Sequence, residues 1–142
     1  MNVLGAVTGL TYYLSCILLF LLRIAGQRGI ERPLGFAQIA FAAPLVLLLV
    51  TAPRFERLPL YYVQALLLLA FVAFEAVVDT ILRVDFRSTR WAVILYVMFF
   101  FAATGGMLGV VSLAGPAWLI AGAAAFLAMG GLAFAQRGVT GL

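Results

Sequence analysis

Histidine and lysine are both absent from this chain of 142 residues, and cysteine occurs once, as Cys16. Without histidine, the chain lacks the commonest ligand for haem, zinc and copper and the usual general base near neutral pH. It also has no serine triad of the familiar kind and no zincin motif. A single cysteine excludes an internal disulfide framework and any cysteine-based metal cluster within one chain. No glycine-rich loop ending in Lys-Ser or Lys-Thr is present, nor a dinucleotide fingerprint following a strand. Internal repeats, low-complexity tracts and lipidation motifs are missing too. Charge is also scarce, at 10% of residues.

Apolar side chains make up the balance, at 66% hydrophobic residues and a mean hydropathy of +1.19. A soluble domain of this length does not carry that composition, so the chain reads as an integral membrane protein. Five apolar stretches stand out, at about residues 3–22, 34–52, 58–82, 91–111 and 117–135. Each is long enough as a helix to cross a hydrocarbon core of about 30 Å. The intervening segments 23–33, 53–57, 83–90 and 112–116 are too short to hold a soluble domain. The expected fold is therefore all-α: a polytopic bundle of five transmembrane helices with short loops, and one domain over residues 1–142. The opening Met-Asn-Val carries no basic side chain and the first positive charges come after the first span, the reverse of a secretory signal. The first span is expected to be retained.

All nine basic residues are arginines and the isoelectric point is about 9.8. These charges sit in short loops, so they read as topology signals, and no nucleic-acid partner is expected. Seven arginines (23, 28, 32, 83, 87, 90 and 137) fall on the side of the first and third loops and the C-terminus. Only Arg54 and Arg57 fall on the other side. The positive-inside rule places the N-terminus outside and the C-terminus in the cytoplasm of a multi-pass cell-membrane protein, with lipids as partners.

Within the third stretch, Glu75, Asp79 and Arg83 recur every four residues, which on a regular helix puts them on one face. An ionisable group at membrane depth costs roughly 2.5–3.5 kcal/mol on insertion scales, so it is retained only where it faces protein, water or a partner. With the orientation above, Ser15, Cys16, Gln38 and Tyr96 are expected at a similar depth, forming a polar layer with the carboxylates. Gln64 lies about three turns away on the same face, and Thr8, Thr11, Tyr12 and Ser15 mark a stripe along the first span. Glu75, Asp79, Arg83, Gln38 and Tyr96 are the candidate ligand- or ion-binding residues. The plainer alternative is a structural ladder locking the third span to its neighbours.

Arg87 and Arg90, with Trp91 beside them, suit an anionic lipid head group, although arginines at a span end also serve simply as anchors. Gly105, Gly109 and Gly122 are expected at helix-packing seams, either within the hairpin of the last two spans or between copies of the chain. Pro44, in the middle of the second span, removes a backbone hydrogen bond and is expected to kink it. Asp85 lies off the face of Asp79, which argues against a Mg²⁺ site built from Glu75, Asp79 and Asp85. No metal and no cofactor is expected.

Three functions compete on these residues. The first is binding or translocation of a proton, a cation or a small cationic or amphipathic solute at the carboxylates, which for a five-span chain implies a homo-oligomer. The second is an accessory or scaffold subunit of a membrane complex. The third, an intramembrane enzyme acting on a lipid or isoprenoid, is disfavoured by the missing histidine and the few polar groups.

Overall fold

A computed structural model describes residues 1–78 and 89–140. Among them the chain is all helical, with five helical spans long and apolar enough to cross a membrane. Span one is helix α1 (Asn2–Ile24), and span two is split into α2 (Arg28–Ile39) and α3 (Ala42–Thr51). Spans three to five are α4 (Pro59–Glu75), α5 (Arg90–Ser112) and α6 (Pro116–Thr140). Each span returns antiparallel to the one before it. Arg23, Arg90 and Arg137 therefore lie at one end of the bundle, and Arg54 and Arg57 at the other.

The first connection is tighter than the composition implied. Helix α1 ends in a hydrogen-bonded reversal in which the Gln27 amide donates to the Leu22 carbonyl and the Gly26 amide to the Arg23 carbonyl. Gly26 takes φ of 71° there, a left-handed position that glycine occupies without a side-chain clash. The backbones of Arg28 and Arg32 thus belong to a helix instead of a loop. Pro59 and Pro116 each open a helix, where the missing amide proton has no partner to lose.

Span two is broken at Ala40 and Phe41 by a cause four residues further on. Pro44 has no amide to give the Ala40 carbonyl, and its ring crowds that oxygen. The backbone tightens in response: the Ala40, Phe41 and Ala43 amides each bond three residues back, to Ala37, Gln38 and Ala40. In a Pro44→Ala variant the restored donor is expected to fuse α2 to α3, and the 40–44 amides should exchange with deuterium more slowly. Unchanged exchange would mean that the break has another origin.

Helix α1 is the centre of the bundle. It packs on α6, α5, α2 and α3, and 44% of its span is buried against 17% for spans two and five. Its inner face carries Tyr12 and Tyr13, both fully buried, and the core continues through Leu45, Leu48, Leu68, Phe71 and Met107. Close approach to α5 depends on Gly5 and Gly9. A methyl added at Gly9 would stand 2.5 Å from a Val111 methyl, and one at Gly5 2.8 Å from a Val110 methyl. A methyl added at Gly122 of α6 would stand 2.9 Å from the other Val111 methyl. Gly105 faces Phe126 of α6, whereas Gly109 faces the Gln64 side chain of α4. The glycines of α5 therefore serve two different neighbours.

At the Arg57 end, three elements are clipped together. The Arg57 guanidinium donates to Asn2 Oδ1, and Asn2 Nδ2 donates to the Leu113 carbonyl at 2.8 Å. The same guanidinium lies 5.4 Å from the centre of the Tyr61 ring. Large apolar side chains such as Leu58, Leu95, Ile120 and Leu127 cover the outside of the bundle, the surface that suits acyl chains.

Candidate functional site

Glu75 closes α4, and residues 76–78 continue as a π-helical turn. A π turn shifts the register of the residues beyond it and is frequent at functional positions. Regular α-helical spacing thus ends at Glu75. Asp79, Arg83, Asp85 and Arg87 lie outside the described residues.

Glu75 itself is half-buried against α5. Tyr96, about 9 Å along α5 from Arg90 at 1.5 Å per residue, donates its hydroxyl to Glu75 Oε1 at 2.5 Å. The ring that carries this hydroxyl is wedged among others. Its centre lies 5.5 Å from that of Phe71 and 6.3 Å from that of Phe74, and Phe99 closes on both phenylalanines at 5.3 and 5.9 Å. The carboxylate therefore meets an aromatic wall through the Tyr96 hydroxyl.

On the far side, α1 presents Tyr12, Ser15 and Cys16. The Tyr12 hydroxyl and the Cys16 thiol are both within electrostatic reach of Glu75. Tyr12 is wholly buried, and its hydroxyl, although beside the Cys16 thiol, has no partner that meets hydrogen-bond geometry. A buried hydroxyl in that state costs about 1–3 kcal/mol. Its ring meets Phe41 edge-on at 5.3 Å, at the break in span two. Gln38, in the last turn of α2, donates Nε2 to Ser15 Oγ at 3.4 Å and Cys16 Sγ at 3.3 Å. Ser15 in turn donates to the Tyr12 carbonyl at 2.7 Å.

Four spans thus converge on one level, with Tyr12, Ser15 and Cys16 from α1, Gln38 from α2, Glu75 from α4 and Tyr96 from α5. Thr11 faces outward, so the polar stripe along α1 is carried inside by Thr8 and Tyr12. Gln64 lies over Gly106 and Gly109, further along the α4–α5 seam. Arg90 is exposed at the start of α5 beside Trp91. Among the described residues, no group of three or more metal-ligating side chains occurs. The chemistry open to the described residues is that of a carboxylate, able to exchange a proton or hold a cation, joined to the Tyr96 hydroxyl and flanked by aromatic rings. Comparison with protein-family models, curated proteins and solved structures finds no match to this chain.

Proposed function

We propose that this protein binds or translocates a proton or a small cationic solute at Glu75, entering from the arginine-rich end. The observation that carries the reading is a half-buried carboxylate in an apolar span, joined to the Tyr96 hydroxyl at 2.5 Å. Ionisable groups at membrane depth are costly and are retained chiefly along ion, proton or substrate paths. The distribution of arginines makes the Glu75 end cytoplasmic in a cell or inner membrane, and a reporter fused after Leu142 should read cytoplasmic. An external signal would reverse the direction of access.

The functional test is proton flux in liposomes loaded with a pH-sensitive dye under an imposed gradient. Wild type should dissipate the gradient faster than Glu75→Gln at equal folded yield. Equal rates would remove transport of protons from the account.

A second reading, a scaffold subunit or homo-oligomer, draws on the outer face of α6. There Ala117, Ala121, Ala124, Ala128, Gly131 and Ala135 are exposed at alternating spacings of four and three residues. Small residues at that spacing let a neighbouring helix approach closely in lipid. The two readings are compatible, since a five-span carrier needs a partner to complete its path.

A further inference from the structure

We propose that the pocket at the Arg57 end of the bundle binds the phosphate group of a membrane lipid, with the Arg57 guanidinium as its recognition element. The inference is independent of Glu75, which belongs to the opposite end of α4.

Met1, Asn2, Val3, Phe55 and Arg57 line an open pocket of about 370 Å³. Phe55 and Arg57 fall between the end of α3 at Thr51 and the start of α4 at Pro59, so the pocket lies where a span meets the head-group layer. Arg57 is half-buried there and is held by neutral groups alone. Its Nη2 donates to Asn2 Oδ1, and its guanidinium lies 5.4 Å from the centre of the Tyr61 ring and 6.0 Å from that of Phe55. Glu56, the next residue in the chain, is exposed, and among the described residues no carboxylate pairs with Arg57. A partly desolvated cation in such company keeps its demand for opposite charge. The same corner holds two of the three buried polar atoms that lack a hydrogen-bond partner among the described residues, Arg57 Nε and the Tyr61 hydroxyl. A guanidinium carries five N–H donors in a planar fork that matches the oxygens of a phosphate. The surroundings select the kind of phosphate. Val3, Phe55 and Leu58 are exposed apolar side chains around the fixed charge, an arrangement that suits a head group with acyl chains attached.

Phosphatidic acid and a diacylglycerol with the same acyl chains are the probes, titrated onto the full chain in detergent and read by native mass spectrometry. Wild type should bind phosphatidic acid saturably and the diacylglycerol at least about tenfold more weakly, the loss of one charge-assisted contact. Arg57→Gln should lose at least about tenfold in affinity for phosphatidic acid on the same ground. Arg57→Lys keeps the charge without the planar fork and should also bind more weakly than wild type. It replaces the glutamine variant if that protein, without the bond to Asn2, gives no cooperative melt. Arg54→Gln removes the same charge from an exposed residue that does not line the pocket, and should bind as wild type does. Equal affinity of wild type for the two probes would overturn the proposal, as would an Arg57 variant that melts cooperatively and binds phosphatidic acid like wild type. Equal losses in Arg54→Gln and Arg57→Gln would reduce the effect to surface charge and overturn it too. Displacement of phosphatidic acid by an equal concentration of inorganic phosphate would assign the pocket to a free anion and remove the lipid as its occupant.

Discussion

Gly9→Ala is expected to destabilise the bundle by about 1–3 kcal/mol, the usual cost of overpacking a filled core. The added methyl would meet Val111 Cγ2 at 2.5 Å and two Met107 atoms at 3.2 and 3.3 Å. Val111 cannot turn aside, because it is fully buried and its other methyl already fills the Gly122 notch of α6. One valine therefore transmits the clash from α1 through α5 to α6. The check is a thermal melt in detergent. Gly9→Ala should melt lower than wild type, and the Gly9→Ala/Val111→Ala pair should lose less than the sum of the two single changes, by at least about 0.5 kcal/mol. A Gly9→Ala protein as stable as wild type would mean that α1 and α5 are not in close contact.

The second large effect concerns binding. A contact to a charged group contributes about 1.5–3 kcal/mol, so Glu75→Gln should weaken a cationic ligand by about 10- to 150-fold. Tyr12→Phe separates site from scaffold. Removing a hydroxyl that already lacks a partner relieves its desolvation cost of about 1–3 kcal/mol. The variant should therefore be at least as stable as wild type while binding the cation less well. A marked fall in stability, with binding unchanged, would make Tyr12 a structural residue.

The five spans were legible because each is a long apolar run separated from the next by prolines, glycines or arginines, and that signal depends on composition alone. The broken second span was only half legible. Pro44 announces a disturbance, but its effect falls on Ala40 and Phe41, at the carbonyl its ring crowds. The close approach of α1 to α5 was not legible as such, although Gly5 and Gly9 stand four residues apart in plain view. A single glycine pair is less conspicuous than the glycine-rich run that holds Gly105 and Gly109. Depth comparison selected Ser15, Cys16, Gln38 and Tyr96 as neighbours of the carboxylate, since rise per residue sets level. It could not select faces: Thr11 turns outward, and the importance of Tyr12 depends on what surrounds its hydroxyl. The spacing of Glu75, Asp79 and Arg83 assumed a regular α-helix; residues 76–78 form a π turn, and Asp79 and Arg83 lie outside the described residues.

The most direct measurement of the central claim is modification by dicyclohexylcarbodiimide, which reacts with a protonated carboxyl reached through an apolar medium. Protein in native membranes, digested and read by mass spectrometry, should carry the adduct at Glu75. An unmodified Glu75 would contradict the assignment of that carboxylate as the exchangeable charge.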